Sequence, residues 1–273
     1  MNDKPVEAIA TDEFSVFTLN LRFGLADDGP NGWEYRKKGY IELLTEYRSD
    51  FMAFQEVNDF QLDFIHKILK DYRFIGKREP APDYWQNNIV FYDRNWSCME
   101  WKHFFLSDTP EKFSRFEQSK WPRQCTIGLF EKGSRRLIII NTHFDFDEEV
   151  QVKSARVIMN LLSRFPPGIP AVLVGDFNCP PSKPCRKVFT GEKLDGIPGD
   201  ATFFKPVFGE TFPGTFHGFT GEPGDDQIDW IMYSGRILPK ERDIVRDKFG
   251  ETYPSDHFPL RAVFLYLPDF VSK

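Results

Sequence analysis

The sequence has few cysteines and no long apolar run. Its four cysteines include no C-x-x-C pair, so we expect no thiolate zinc site and instead reduced thiols. No segment approaches the roughly 18 apolar residues of a membrane-spanning helix. Residues 1–13 also lack the apolar core of a signal peptide. These absences predict a cytoplasmic protein with no membrane span.

A block of like charge is also missing. Lys and Arg total 35 while Asp and Glu total 41, and the net charge of -6 is spread over 273 residues. Proteins that coat nucleic acid bind mainly through cations that neutralise phosphates, so this composition disfavours that class. A nuclease with a locally positive site stays compatible with it. We expect one domain over residues 14–273, preceded by a polar lead-in at 1–13, and a monomer.

Apolar residues recur with the periods of helices and of strands in turn. Helical spacing predicts helices at 35–48, 60–70, 150–165 and 183–189. Runs of β-prone residues predict strands at 14–23, 50–57, 72–75, 89–92, 97–106, 125–130, 137–142, 171–175, 228–233 and 259–267. The middle third lacks crossover helices, which favours two packed sheets with helices outside over one doubly wound sheet. Residues 178–227 are rich in Pro and Gly and are expected to be mostly loop.

The chain is organised around an apolar run that ends in Gly175-Asp-Phe-Asn178. Such a run is typical of a strand buried on both faces, and Asp176 and Asn178 then leave its carboxyl end, where α/β proteins bind ligands. A buried carboxylate at this position needs a hydrogen-bonding partner or a cation. An isolated D-x-N is more often a turn that caps a strand, so its meaning depends on the rest of the chain.

Other apolar strands also end in polar residues, namely Asn20, Glu56, His143, Asp229 and the pair Asp256-His257. Each of these has a structural explanation when taken alone, as a surface acid, a core histidine or a turn residue. Their recurrence at strand ends predicts one shared polar site. The oxygens of Asn20, Glu56 and an Asp suit a hard cation such as Mg²⁺.

This set of residues fits phosphoryl chemistry. Bound Mg²⁺ neutralises charge on a phosphate oxygen, and an Asp near the phosphorus orients or deprotonates water. His257, held by a carboxylate such as Asp229, hydrogen-bonds the phosphate in its cationic form. No Ser or Cys occupies a recognisable nucleophile elbow, so in-line attack by water is favoured over a covalent intermediate.

The ordered motifs resemble those of the endonuclease/exonuclease/phosphatase superfamily, which includes DNase I-like nucleases, exonuclease III-like enzymes, inositol polyphosphate 5-phosphatases, neutral sphingomyelinases and deadenylases. The resemblance covers residues 14–266. It rests on six motifs, which are Leu19-Asn-Leu-Arg-Phe-Gly24, Gln55-Glu56-Val57, Asn141-Thr-His143, Gly175-Asp-Phe-Asn178, Ile228-Asp-Trp-Ile231 and Ser255-Asp-His257.

The resemblance implies an α/β fold, a four-layer sandwich in which two packed mixed β-sheets are flanked by helices. It also implies a phosphoesterase that depends on a divalent metal, Mg²⁺ with Mn²⁺ as a substitute. By match to the motifs, Glu56 is the principal metal ligand, Asn20 lies beside it and Asp256 lies next to the metal.

The same match implies the catalytic residues. Asp176 and Asn178 hold the water and the phosphate, and His257 pairs with Asp229. His143 matches the histidine that serves the leaving group or the phosphate in several branches of the superfamily.

Three further stretches resemble a bacterial and fungal branch with poorly defined substrates, namely Phe105-Leu-Ser-Asp-Thr-Pro110, Trp121-Pro-Arg123 and Gly214-Thr-Phe-His-Gly-Phe219. They add Arg123 and His217 as candidate substrate-binding residues. A surface ion pair explains Arg123 equally well, and a loop histidine among aromatic residues explains His217. The chain has Arg22 where abasic-site endonucleases usually carry an acid, which disfavours that activity.

We therefore expect a hydrolase that cleaves phosphate esters, above all phosphodiesters, with nucleic acid among the candidate substrates. A phosphomonoesterase acting on a phosphoinositide or another small phosphate is the alternative within this chemistry. A non-catalytic scaffold with the same fold is the alternative of a different class. The retained Glu56, Asp176 and His257 disfavour a scaffold, because buried polar groups without a function cost stability.

Overall fold

The computed structural model describes residues 12–192, 203–209, 212–225 and 227–268, where twelve strands, numbered along the chain, form two six-stranded sheets. The first sheet has the spatial order β11 (Ile237–Ile244), β12 (Leu260–Tyr266), β1 (Glu13–Asn20), β2 (Phe51–Val57), β4 (Asn87–Asp93) and β3 (Tyr72–Ile75). The second has the order β5 (Ser97–Phe105), β6 (Gln124–Lys132), β7 (Arg135–His143), β8 (Ala171–Asp176), β10 (Asp229–Ser234) and β9 (Lys205–Pro206).

Each sheet contains one parallel pair, β1 with β2 and β7 with β8, and its other neighbouring strands are antiparallel. A parallel pair requires a crossover connection, and helices supply it in both sheets. The first crossover contains α1 (Trp33–Arg36) and α2 (Gly39–Glu46), and the second contains α4 (Glu148–Leu162). The remaining helices among the described residues are α3 (Asp59–Ile68), α5 (Pro184–Thr190) and a short 3-10 helix at Gly29–Asn31.

Three apolar layers separate four layers of secondary structure. Val16 of β1 and Val174 of β8 pack in the layer between the two sheets. Phe17, the next residue of β1, packs against the helices on the outer face of the first sheet. Leu173 faces the helices that cover the second sheet. The central strands are buried on both faces, which explains their nearly continuous apolar runs and confirms the predicted four-layer α/β sandwich.

The predicted helix at 35–48 is divided into α1 and α2. Gly39 lies at the junction, and glycine is a poor helix former in its interior. A Cβ added to Gly39 would lie 3.0 Å from the carbonyl oxygen of Phe249, so the close contact favours glycine at this position. The division also allows Arg36 to turn inward, where it donates hydrogen bonds to the carbonyls of Leu21 and Pro254.

Sequence patterns missed the strands β9 and β11. The charged middle of β11 is exposed, and the strand forms one edge of its sheet. Its register shifts between Pro239 and Glu241. Edge strands commonly carry charges, Pro and bulges, so β11 has little of the apolar alternation by which strands are recognised.

In the described part of the chain, no helix has the length and apolar character needed to cross a membrane.

Candidate active site

The parallel strand pairs bring four predicted site residues to one edge of the sandwich. Asn20 ends β1 and Glu56 lies next to the end of β2, while His143 and Asp176 end β7 and β8. Asn20 is in register with Gln55, and His143 is in register with Asp176. Parallel strands place their carboxyl ends together, so each sheet contributes two polar residues to this edge.

Two antiparallel neighbouring strands, β10 and β12, add three more predicted residues at their amino ends. Asp229 opens β10 and is in register with Asp176 of β8. Asp256 and His257 precede β12, which runs antiparallel to β1. The Ser255 hydroxyl donates a hydrogen bond of 2.5 Å to the carbonyl of Asn20. This bond attaches the Ser-Asp-His segment to the end of β1.

Two site residues have left-handed backbone conformations. Glu56 has φ 60° and Asn178 has φ 50°. Asn tolerates this region, but Glu does so at a cost of about 1–3 kcal/mol. The register between β2 and β4 shifts between Phe54 and Val57, so Glu56 lies in a bulge, a feature that redirects a side chain. Its carboxylate accepts hydrogen bonds from the backbone N–H of Phe23 and from the amide of Asn20.

Asp176 lies at the centre of the site and is 1% exposed. Its Oδ2 accepts a 2.9 Å hydrogen bond from Asn20 Nδ2, and its Oδ1 accepts one of 2.8 Å from the backbone N–H of Asn178. The same Oδ2 lies 3.9 Å from Nε2 of His257. Burial, followed by the nearby Asp229 carboxylate, raises the pKa of Asp176 to about 7. Asp176 can therefore exchange a proton near neutral pH.

His257 is held in its cationic form by carboxylates. Its Nδ1 lies 2.8 Å from Oδ2 of Asp229, and both side chains are buried. Burial opposes the charge of the imidazolium, but the combined attraction of Asp229, Asp256 and Asp176 outweighs it and raises the pKa of His257 to about 10. His257 is consequently a hydrogen-bond donor at both ring nitrogens near neutral pH.

His143, in contrast, is neutral. Its Nε2 lies 3.0 Å from Arg123 Nη1 and 3.0 Å from Asn178 Nδ2. Both neighbours are donors, so Nε2 must accept and the ring proton lies on Nδ1. Burial, then the positive charges of Arg123 and His257, lowers the pKa of His143 well below its usual value. Arg123 is buried rather than on the surface, and its Nε lies 3.9 Å from Oδ2 of Asp145.

His217 reaches the site mainly through its backbone. Its N–H donates a 2.9 Å hydrogen bond to the carbonyl of Asp256. The imidazole stacks on Phe258 with ring centroids 4.0 Å apart and meets the edge of Tyr253. Burial, followed by the charge of His257, lowers the pKa of His217 to about 4. Nε2 is buried and has no hydrogen-bond partner among the described residues.

Three supporting residues were not given roles from the sequence. The Thr215 hydroxyl accepts a 3.1 Å hydrogen bond from the N–H of Asp229, and the Ser255 hydroxyl links two segments of the site. Asp145 accepts a 2.8 Å hydrogen bond from Ser119 while facing Arg123. Ser255 was visible as part of the Ser-Asp-His motif, whereas Thr215 and Asp145 act through contacts that no local pattern reveals.

The site is rich in oxygen donors that suit a hard cation. Ligand atoms of Asp176, Asp229 and His257 lie within 4.8 Å of one another and are buried. Glu56 shares the Asn20 amide with Asp176, and Asp256 lies 3.7 Å from Arg22 Nε. Burial and the nearby Asp229 carboxylate raise the pKa of Asp176. A divalent cation bound nearby would offset the negative charge and so lower this pKa.

The Asn20 amide is turned with its NH₂ group toward the two carboxylates. Its oxygen accepts a 2.8 Å hydrogen bond from the N–H of Arg22. In this orientation Asn20 links Glu56 to Asp176, and it must turn over before its oxygen can face a cation. Arg22 itself is fixed by a paired contact with Asp28, at 2.7 and 2.9 Å.

Solved structures with this fold cover nearly the whole chain. An endonuclease/exonuclease/phosphatase family protein from Bacteroides thetaiotaomicron has a TM-score of 0.80 at 24% identity, covering 93% of this chain and 98% of that chain. A mannosyl-6-phosphatase from the same organism has a TM-score of 0.82 at 24% identity, covering 93% and 100%. The human nocturnin catalytic domain has a TM-score of 0.71 at 20% identity, covering 93% of each chain. At these identities the likeness shows the fold alone.

The sequence profile of one family matches most of the chain. Comparison with curated proteins gave no significant match. The profile described as the Endonuclease/Exonuclease/phosphatase family matches residues 17–257, a span that begins within β1 and ends at His257. This span includes every strand end that contributes to the site. The chain therefore belongs to the endonuclease/exonuclease/phosphatase family.

Proposed function

We propose that this protein is a Mg²⁺-dependent hydrolase of phosphate esters, with phosphodiesters as its main substrates. The observation that carries the proposal is the buried group of Asp176, Asp229 and His257, in which His257 Nδ1 lies 2.8 Å from Asp229 Oδ2 and His257 Nε2 lies 3.9 Å from Asp176 Oδ2. Family membership supports phosphoester hydrolysis as the reaction class. A scaffold has no use for three buried, mutually dependent ionisable side chains.

In the proposed reaction, Asp176 orients a water molecule and accepts its proton. Burial raises the pKa of Asp176, which strengthens its carboxylate as a general base. The cationic His257 donates a hydrogen bond from Nε2 to a phosphate oxygen, because its Nδ1 is occupied by Asp229. Asp229 is therefore a positioning residue that fixes both the orientation and the charge of His257.

Asn178, Arg123 and His143 form the second half of the proposed phosphate site. Asn178 is held by hydrogen bonds to the carbonyl of Phe144 at 2.9 Å and to His143 at 3.0 Å. Arg123 supplies a buried positive charge next to the neutral His143. We assign Asn178 and Arg123 to phosphate binding and place His143 beside the leaving group. Because Nε2 of the neutral His143 carries no proton, the leaving oxygen takes its proton from solvent water.

Glu56 and Asp256, with Asn20 after its amide turns over, are the residues we propose to hold Mg²⁺. The cation, when bound, supplies positive charge that stabilises a phosphate oxygen as negative charge develops on it. Mn²⁺ has similar preferences for oxygen ligands and is expected to substitute. His217 is expected to support this group through its backbone hydrogen bond to Asp256.

A hydrolysis screen with and without Mg²⁺ or Mn²⁺ tests the proposal. Its substrates are single- and double-stranded DNA, RNA, inositol phosphates, phospholipids and bis-p-nitrophenyl phosphate. His257→Ala is expected to lose about 10²-fold or more in kcat/KM. His66→Ala, at an exposed histidine of α3, is the matched control and should retain wild-type activity. A wild-type enzyme that cleaves nothing, or equal rates for His257→Ala and wild type, would contradict the proposal.

A crystal soaked in Mn²⁺ tests the metal ligands separately. Anomalous density is expected beside Glu56 and Asp256. A strong peak bound only by Asp176, Asp229 and His257 would replace that assignment with the alternative cluster of ligand atoms.

Hydrolysis of a phosphomonoester, such as a small sugar phosphate or an inositol phosphate, is the second candidate function. One structural neighbour is named a mannosyl-6-phosphatase. The two buried cations Arg123 and His257 also suit the extra negative charge of a monoester. Higher kcat/KM for monoesters than for matched diesters in the same screen would favour this candidate.

A further inference from the structure

The guanidinium of Arg78 is held by aromatic rings. Its Cζ lies 4.2 Å from the ring centroid of Trp85, 4.6 Å from that of Phe113 and 5.7 Å from that of Phe105. We call these four residues the Arg78 cluster. Trp85 and Phe105 are buried, whereas Phe113 is 61% exposed. The cluster therefore opens to solvent on the side of Phe113.

The hydrogen-bond donors of this guanidinium have no partner in the part of the chain that the structure describes. No acceptor or carboxylate within the described ranges forms a hydrogen bond or ion pair with the Arg78 side chain. Glu79, the acid next to Arg78 in sequence, is engaged elsewhere, since Lys77 pairs with it at 3.1 Å and with Asp59 at 3.3 Å. When aromatic rings stack on a guanidinium, they cover its faces and leave its in-plane N–H groups available. These groups can donate two parallel hydrogen bonds to one phosphate.

The Arg78 cluster lies at the same edge of the sandwich as the candidate active site. The N–H of Arg78 donates to Asn87 Oδ1, and Asn87 Nδ2 donates to the carbonyl of Val57, the residue after Glu56. On the other side, Phe105 is in register with Gln124, the residue after Arg123. The cluster is thus attached both to the strand that carries Glu56 and to the strand that follows Arg123.

We propose that the Arg78 cluster is a binding site for a second phosphate group of the substrate, separate from the phosphate that is hydrolysed. This inference rests on the proposed function of the neighbouring site. The ligand is a phosphate ester with at least two phosphates, in which one occupies the hydrolytic centre and the other pairs with Arg78. A nucleic acid strand and an inositol bisphosphate both have this chemistry.

Paired substrates that differ by one phosphate test the inference. One pair is a dinucleotide with and without a 5′-phosphate, and the other is an inositol bisphosphate with its monophosphate. The readout is the ratio of kcat/KM within each pair. Wild type is expected to prefer the member with more phosphates, and Arg78→Gln should lower that preference about tenfold, the loss of one charge-assisted hydrogen bond. The pair that shows the effect identifies the source of the phosphate.

Arg156→Gln removes an exposed arginine of α4 and is the charge-matched control, expected to keep the wild-type preference. Arg78→Lys keeps the charge without the planar fork and should give an intermediate ratio, which covers the case in which Arg78→Gln fails to fold. An unchanged ratio in both Arg78 variants, or equal losses on both members of each pair, would overturn the inference.

Equilibrium binding separates a failure of this inference from a failure of the proposed function. If wild type hydrolyses none of the substrates, calorimetry with the same two pairs measures the second phosphate directly. Tighter binding of the member with more phosphates, lost in Arg78→Gln, would support the site without hydrolysis. Equal affinities within both pairs would reject it.

Discussion

Among the three carboxylates near His257, Asp229 contributes most to its positive charge. Asp229 lies 2.8 Å from its Nδ1 and is itself buried, so each side chain compensates the other's charge. Removing one member of such a pair leaves an uncompensated buried charge. The proposed role of His257 as a hydrogen-bond donor to phosphate therefore depends on Asp229.

We predict that Asp229→Asn lowers kcat/KM for phosphate-ester hydrolysis by about 10²-fold or more, because the imidazolium loses its compensating carboxylate. Steady-state kinetics on the best substrate from the screen measures the loss. Asp243→Asn, at an exposed acid of β11, is the control and should keep wild-type kinetics. Equal activity of the two variants would remove Asp229 from the proposed mechanism.

His103 provides a separate test through pH. Burial, then the positive charge of Arg78, lowers the pKa of His103 to about 4 from a usual value of 6.5. The unfolded chain binds a proton at this residue below pH 6.5 and the folded chain does not, so its contribution to stability is complete above 6.5 and is lost as the pH falls through about 4. The loss amounts to at most about 3 kcal/mol.

His103→Leu should therefore reduce the fall in unfolding free energy between pH 7 and pH 4.5. Urea unfolding at both pH values measures it, with His66→Leu, at an exposed histidine, as the matched control. A wild-type pH dependence in His103→Leu would show that this residue does not contribute to acid sensitivity.

The pairing of strands β7 and β8 determines where the Asp176 side chain lies. Gly175, the residue before Asp176, has φ 146°, and a Cβ added there would overlap the backbone of Thr142. The two strands can pair this closely only because Gly175 has no side chain. The end of β8, and with it the central carboxylate, depends on this contact.

Gly175→Ala is predicted to lower the free energy of unfolding by at least about 2 kcal/mol, from backbone strain and from overlap with β7. Chemical denaturation measures the difference. Gly209→Ala is the control, because a Cβ at Gly209 meets nothing within 4 Å. A similar stability of the two variants would mean that the strands separate without cost.

The sequence predicted the elements that are buried on both faces and the residues at their ends. β1 and β8 were recognisable from their apolar runs. The D-x-N and S-D-H motifs identified polar residues near the ends of these strands. The edge strand β11 was missed, because exposure removes the apolar signal. The Arg123–His143 contact could not be predicted from the sequence, because it joins the residue before β6 to the end of β7, and only the fold shows that these strands pair.

A divalent cation should stabilise the folded protein as a whole, because several carboxylates converge where the two sheets meet. We predict that Mg²⁺ raises the thermal midpoint of unfolding, with about 2.7 kcal/mol of added stability at 100 times its Kd. Glu56→Gln should reduce the shift, since it removes a proposed ligand. Glu117→Gln, at an exposed acid, is the control. Equal shifts in both variants, measured by calorimetry, would exclude Glu56 as a ligand.

The meeting of two sheets at one edge has a consequence for biosynthesis. Asn20, Glu56 and His257 come from the first sheet and its connections, while His143 and Asp176 come from the second. A nascent chain lacks part of the proposed active site until residue 257 has left the ribosome and the two sheets have packed together. The proposed hydrolytic activity would therefore appear only after the sandwich has assembled. Incomplete nascent chains would not hydrolyse cellular phosphate esters.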